Sequence, residues 1–242
     1  MRNVGKLAAE LLDLFVDKVN PGINTKSLDT YAYEFIMDNG AIPAPLNYRG
    51  FTKSICTSIN HVICHGIPSD RILDEGDIVN IDVTLILDGW HGDTSRMYSA
   101  GDPSIKARKL INNTYDSMML GINSIKPGLK LGDLGSIIQD NAEKNNYSVV
   151  REFCGHGLGQ VFHDEPNILH YGVEDTGLVL KEGMFFTVEP MVNIGKPESK
   201  ILSDGWTAVT RDRSLSAQFE HSVGVTSDGV ETVSYTHLRA HE

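Results

Sequence analysis

An antiparallel α+β domain built from two related halves is the fold this sequence predicts. The order helix, helix, strands runs through the chain twice. Matching segments also recur at a nearly constant offset. Asn20-Pro21-Gly22-Ile23 with Leu28 returns 106 residues later as Lys126-Pro127-Gly128-Leu129 with Leu134. Glu75-Gly76 leading to Asp82 returns 107 residues later as Glu182-Gly183 leading to Glu189. Pro-Gly after a helix is common punctuation by itself, but two independent segments agreeing within one residue make an internal duplication the better reading. A cleft is expected where the halves meet.

Each element follows from local pattern. Val4, Leu7, Ala8, Leu11, Phe15 and Val19 recur at three and four, which predicts a helix over 3–19 stopped by Pro21-Gly22. Leu28, Tyr31, Ala32, Phe35 and Ile36 share one face of a second helix, with Gly40 as its C-terminal cap. Residues 41–70 are punctuated by Pro and Gly and read as β-like. Ile78 to Leu87 alternates and meets Asp88-Gly89, a two-residue turn signal, so 77–98 is predicted to be a hairpin. Two more helices are expected over 104–125 and 132–146. Strands are expected around Val149-Val150, Met184 to Val188 and Phe219 to Val225.

Composition bounds the function. The 242 residues can bury a sizeable core without disulfide or metal staples. With 32 Asp plus Glu against 21 Lys plus Arg, the formal charge is −11, which opposes phosphate backbones and anionic membranes. No run approaches the ~20 apolar residues of a membrane span, and the first apolar stretch is broken by Glu10, Asp13, Asp17 and Lys18. Cys56, Cys64 and Cys154 are odd in number and form no CxxC pair, which points to a reducing compartment, the cytoplasm. Cys64 lies beside His65 and Cys154 lies near His156, so a thiol nucleophile competes with the commoner role of Cys as a small buried apolar residue.

Four carboxylates stand out. From Asn80 to Thr84 the even positions are polar, so Asp82 shares a face with Asn80 and Thr84. A two-residue turn places Thr84 opposite Asp93 and Asp82 opposite Ser95, making the two Asp diagonal neighbours roughly 7–8 Å apart. Such a pair repels unless a cation lies between; a solvated hairpin face is the ordinary alternative. Glu189 ends the apolar run Met184 to Val188, and Glu220 sits in Gln218-Phe219-Glu220-His221-Ser222-Val223. Neither has an adjacent Lys or Arg, and an unpartnered buried Glu is costly. Gly155-His156-Gly157-Leu158-Gly159, with His163 beyond it, offers a backbone able to approach a ligand while presenting imidazoles. The donors form a hard, oxygen-rich set suited to Mn, Fe, Co or a hydrolytic Zn, unlike a Cys-dominated structural zinc site. Two divalent ions ~3.5–4 Å apart would be neutralised by four carboxylates. His61 and His65 have i,i+4 spacing in a β-like segment, and His61 is read as structural or exposed.

The strings Cys64-His65-Gly66-Ile67-Pro68, Gly76-Asp77-Ile78-Val79-Asn80-Ile81-Asp82-Val83, Gly92-Asp93-Thr94-Ser95, Gly155-His156-Gly157-Leu158-Gly159, Phe162-His163, Thr187-Val188-Glu189-Pro190-Met191 and Ser216-Ala217-Gln218-Phe219-Glu220-His221 together resemble the type I methionine aminopeptidase family. They run in the family's order from about residue 1 to about 233. The resemblance implies the pita-bread fold, in agreement with the duplication, and one catalytic domain over 1–233 with halves of about 1–100 and 101–233. It implies two divalent metal ions, with Asp82 on one, Asp93 and Glu220 bridging, and His156 and Glu189 on the other. It implies Glu189 as proton acceptor, His163 at the oxyanion, and His65 near the scissile amide. Tyr48, Phe51, Phe162 and Trp206 would line a pocket for the substrate's methionine. The expected reaction is removal of N-terminal Met from nascent chains, preferentially before a small second residue. It would be carried out by a cytoplasmic monomer that meets the ribosome transiently and binds neither nucleic acid nor membrane directly.

The chain departs from the family pattern in a few places. Thr52 follows Phe51 where Pro is common, and Gln160 stands where Arg is frequent. Met1-Arg2 aligns with a normally internal pair, so an opening segment is expected to be missing. Residues 234–242 are expected to be a non-native or disordered tail, and His237 and His241 are not metal candidates. Competing readings are a non-catalytic peptide binder on the same fold, which would be expected to lose ligands that are all present here, and an Xaa-Pro aminopeptidase or prolidase, which usually carries an extra N-terminal domain. A mononuclear iron oxygenase would leave three carboxylates unexplained.

Overall fold

Four helices fall among the described residues: α1 (Arg2–Leu14), α2 (Thr25–Asp38), α3 (Ile105–Ser124) and α4 (Leu131–Lys144). The computed structural model describes residues 1–234, and the tail expected from 235 onward, with His237 and His241, lies outside the described residues. Ser234, set with the tail on sequence grounds, is buried, and its Oγ accepts from Ser222 N at 3.0 Å. Helix α1 stops five residues short of the expected end. Its hydrogen bonds tighten to i→i−3 from Phe15 to Lys18, yet Phe15 and Val19 stay in the core. Periodicity reports which side chains are buried, and here burial outlasts the helical backbone.

The expected hairpin is present as the strands Ile78–Leu87 and Trp90–Ser99. Asp88 and Gly89 have φ of 52° and 80°, the paired left-handed conformation of the two-residue hairpin turn. That turn fixes the register, and Asp82 pairs with Ser95 and Thr84 with Asp93 as expected. The hairpin anchors a nine-stranded sheet. Beyond Trp90–Ser99 come Glu220–Val225, Phe185–Val188, Gly155–Gly157 and Asp164–Ile168, all antiparallel.

One face of this sheet is covered by helices. Val79, Ile81, Val83 and Leu85 pack in one core with Val4, Leu11, Leu28 and Ile36 of α1 and α2. Phe186, Val188, Val223 and Val225 pack in a second core with Leu110, Met118, Leu134 and Ile138 of α3 and α4. The halves repeat down to single bonds. Gly22 N donates to Leu73 O as Gly128 N donates to Leu180 O, and Leu73 N donates to Ile23 O as Leu180 N donates to Leu129 O. Gly22 and Gly128 share a φ of 94°, a left-handed value that glycine adopts at no steric cost. The partners differ by 106 or 107 positions, the offsets seen in the sequence.

Gly92 lies where α1 rests on the hairpin, between His91 and Asp93. A Cβ there would stand 2.8 Å from the Val4 carbonyl carbon and 3.0 Å from Gly5 N. Backbone cannot give way as a side chain can, so Gly92→Ala is expected to lower the melting temperature by roughly 3–10 °C. Thermal unfolding followed by circular dichroism measures this, and an unchanged melting point would show that α1 is loosely seated.

Candidate active site

Alternation along the strands sends the opposite face of the sheet toward the site. The register pairs Cys56 with Asp82, Asp82 with Ser95 and Ser95 with Glu220, one row across four strands. On the same face Thr84 stands opposite Asp93, and Ser222 opposite Thr187. Glu189 follows Thr187 by two residues and keeps its side. The offset of 107 thus superposes not only Asp82 on Glu189 but also their apolar neighbours Val79 and Ile81 on Phe186 and Val188. Each carboxylate faces the site because its neighbours face a helix pair.

Of these side chains, Cys56, Asp82, Thr84, Asp93, Glu189 and Glu220 line a cavity of about 370 Å³. Every residue expected at the site lines it: Asp82, Asp93, His156, Glu189 and Glu220 with His65, His163, Tyr48, Phe51, Phe162 and Trp206. Ligand atoms of Asp93, His156 and Glu220 all lie within 4.8 Å of one another. His156 Nε2 is 3.6 Å from Asp93 Oδ2 and 3.7 Å from Glu189 Oε1. Those separations are too long for hydrogen bonds, and burial pushes the imidazole below its ordinary range, so neutral His156 does not pair with the carboxylates as a cation. Its Nδ1–H donates to Gly157 O at 3.0 Å, which leaves Nε2 with a free lone pair turned toward them.

Burial dominates the electrostatics. It raises Asp82, Glu189 and Glu220 well above the carboxylate range, with repulsion from Asp93 as the next cause in each. Asp93 is raised to about 7 by burial, against hydrogen bonds from Thr84 and Thr94 that lower it. Among the described residues no Lys or Arg forms an ion pair with any of the four. A buried set of acids without basic partners costs several kcal/mol per charge unless cations neutralise it. The donor set of four carboxylates and an imidazole with its lone pair free fits divalent metal ions.

A layer of neutral donors holds the acids in place, and most of it escaped the sequence reading. Thr84 Oγ1 donates to Asp93 Oδ1 at 2.8 Å, and Thr187 Oγ1 donates to Glu189 Oε1 at 2.7 Å. Gln218 Nε2 approaches Glu189 Oε2 at 3.3 Å. Glu189 N donates to Nε2 of His170, a buried imidazole kept neutral by burial, with its pKa lowered to about 3. His170 comes from a loop with no motif to flag it. Within the Gly-rich stretch, Gly155 and Gly157 are also required by the sheet. A Cβ on Gly155 would collide with Thr187 O, and one on Gly157 with Glu165 O.

The walls are aromatic. Tyr48 and Phe162 lie 5.0 Å apart and Phe51 meets Trp206 edge-on at 5.1 Å. His65 has a left-handed φ of 56°, and its ring stands nearly perpendicular to those of Phe153 and Trp206. His163 lies 3.1 Å from Tyr48 Oη through Nδ1, and burial, followed by the neighbouring imidazoles of His156 and His65 and the guanidinium of Arg49, which disfavour a further positive charge, pushes it down to about 3. A neutral ring accepting from the Tyr48 hydroxyl carries its proton on Nε2. The thiol-nucleophile alternative fails. Cys56 and Cys64 are buried and Cys154 partly so, and burial reinforced by the carboxylates raises all three thiols, suppressing the thiolate. His61 lies outside the cavity.

A family model described as metallopeptidase family M24 matches residues 1–227. The chain is 65% identical over 233 residues to the methionine aminopeptidase of Rickettsia prowazekii, covering 96% of this chain and 90% of that protein. Superposition on a crystal structure of methionine aminopeptidase from Rickettsia prowazekii gives a TM-score of 0.96 at 62% identity, over 97% of this chain and 95% of that one. Prolidase from Pyrococcus furiosus gives 0.78 at 20% identity, over 98% of this chain and 63% of that one, a likeness of fold alone.

Proposed function

The chain belongs to the methionine aminopeptidases of metallopeptidase family M24, and from that premise we propose that it removes the N-terminal methionine of nascent proteins and peptides, preferentially before a small second residue. The observation that carries the reading is the convergence of five metal-type donors, two further imidazoles and four aromatic rings on one cavity. The catalytic unit spans 1–233, with halves of about 1–100 and 101–233.

Metal dependence goes with the family and the donor set. The reading takes two ions, of Co, Mn, Fe or Zn, which Asp82, Asp93, His156, Glu189 and Glu220 would hold, with Asp93 and Glu220 shared. When bound, such ions polarise a carbonyl oxygen and acidify a water toward neutrality. Glu189 takes the proton of the attacking water at a carboxylate oxygen; Thr187 and Gln218 fix that carboxylate against rotation. His163 offers Nε2–H to the oxygen of the scissile carbonyl as charge develops there. His65, neutral through burial, faces the scissile amide and assists proton delivery to the departing nitrogen. Tyr48, Phe51, Phe162 and Trp206 hold the methionine side chain in an apolar slot.

The reading places a monomeric enzyme in the cytoplasm, acting on chains as they leave the ribosome, without direct nucleic-acid or membrane binding. Free cysteines beside the site and the net charge support it, and no described helix is long and apolar enough to cross a membrane. Hydrolysis of Met-Ala-Ser against Xaa-Pro tripeptides, with chelator and with each divalent metal, tests the assignment. Turnover of Met-Ala-Ser that chelation abolishes is expected; turnover of the Xaa-Pro peptides alone would overturn it.

A further inference from the structure

His91 lies two residues before Asp93 and does not itself line the cavity, yet it is buried and held unusually firmly. Its backbone N–H donates to Gly159 O at 2.8 Å, and its ring Nδ1–H donates to the same carbonyl at 3.0 Å. Both ring freedom and backbone position are thereby tied to the loop that follows His156. The ring lies nearly parallel to Phe162, with centroids 5.4 Å apart and 16° between planes. Phe162 in turn contacts Tyr48 at 5.0 Å, His163 at 4.0 Å and His156 edge-on at 6.2 Å. One imidazole therefore links the hairpin that carries Asp93 to the ring at the centre of the aromatic wall.

Phe162 needs such a support. It sits in the stretch Gln160–His163, outside any helix or strand, where a side chain has no lattice of backbone bonds to hold it. The adjoining Gly159 has only Trp90 near the position a Cβ would take, at 3.7 Å. We propose that His91 is a positioning residue for substrate selection: its ring backs Phe162 and sets the width of the slot for the methionine side chain. This rests on the functional reading above. The hydrogen bond to Gly159 O orients the His91 ring, and the stacked face does the positioning. The main effect therefore falls on binding of the methionine side chain, while the carboxylates and His156 keep their places on the sheet.

Two substitutions separate the parts. His91→Phe keeps a flat ring and loses the hydrogen bond; His91→Asn keeps an N–H near Gly159 O and loses the ring. With Met-Ala-Ser as substrate, His91→Asn is expected to raise KM about tenfold with kcat within about threefold, and to narrow discrimination of Met-Ala-Ser over Leu-Ala-Ser. His91→Phe should restore most of both. In a Phe162→Leu background, His91→Asn should add little to KM, because the ring it supports is gone. The inference is overturned by an effect confined to kcat, by equal KM effects of Asn and Phe, or by additivity with Phe162→Leu. If His91→Asn fails to fold, His91→Leu, which keeps apolar bulk but no flat ring, takes its place: it should raise KM by itself and add little in the Phe162→Leu background, and an unchanged KM in His91→Leu overturns the inference. A wild-type enzyme without turnover of Met-Ala-Ser overturns the functional reading itself, and this inference with it.

Discussion

Replacing Glu220 with alanine is expected to lower kcat/KM on Met-Ala-Ser at least about a thousandfold, since altering even the outer partners of a metal ligand typically costs 10–100-fold. Glu220 begins its strand with its side chain almost fully buried, and one of its oxygens lies within 4.8 Å of ligand atoms from both Asp93 and His156. Losing it removes the donor that links the hairpin's carboxylate to the imidazole. The conservative variant Glu220→Gln makes the test sharper. It keeps the volume and offers one neutral oxygen in place of a charge, so its activity should fall nearly as far. Its metal-free form should melt at a higher temperature at pH 7.5 than the metal-free parent, because folding no longer has to protonate, or bury as a charge beside Asp93, Glu189 and Asp82, a carboxylate that is ionised in the unfolded chain. Steady-state kinetics and thermal melts in chelator measure both. Full activity in either variant would refute a site built on Glu220.

The carboxylate half of this site was legible in the sequence because it depends on short-range rules. Asp88-Gly89 specifies a two-residue turn, the turn specifies the register, and the register places Asp82 and Asp93 on one face. Glu189 and Glu220 were legible as acids in apolar strands without basic neighbours. The strand order was not, because it depends on which distant segment docks beside Trp90–Ser99. Without it nothing in the string of residues announces that Ser95 pairs with Glu220. His170 and His91 act through contacts 19 and 68 positions away in the chain, so neither could be distinguished from a packed core histidine. The assignments of His65, His163 and the four aromatic rings came from family resemblance, and the cavity brings all six together. The glycines have a second reason that the sequence hides: a requirement for close approach looks the same whether a ligand or a neighbouring strand does the approaching, and at Gly155 and Gly157 neighbouring backbone does so.

Metal-free protein is expected to lose stability as pH rises from about 6.5 to 8, and saturating Mn²⁺ should reverse that trend. Asp82, Asp93, Glu189 and Glu220 all have folded pKa values raised above their unfolded ones, Asp93 to about 7. Through the interval between the two values the folded state holds protons that the unfolded state has released. The stability this provides is fully present below the unfolded values near 4 and is lost as pH rises through the folded ones. Buried histidines work in the opposite direction. His65, His156, His170 and His221 are lowered, the last to about 4, so they reduce stability as pH falls below about 6.5. Below 6.5 the two trends oppose each other; above it the unfolded imidazoles finish losing their protons within about one pH unit, and from there only the acids still titrate. Divalent ions bind the ionised acids and release their protons, so the stabilisation they confer must grow across the same window. Chemical denaturation at pH 6.5, 7.2 and 8, in chelator and in Mn²⁺, should show a fall on the order of a few kcal/mol without metal and a flat or rising profile with it. Glu220→Gln should make the metal-free slope shallower by removing one titrating acid. A metal-free protein that grows more stable from pH 6.5 to 8 would mean that the four acids are already ionised and paired with something other than a bound cation.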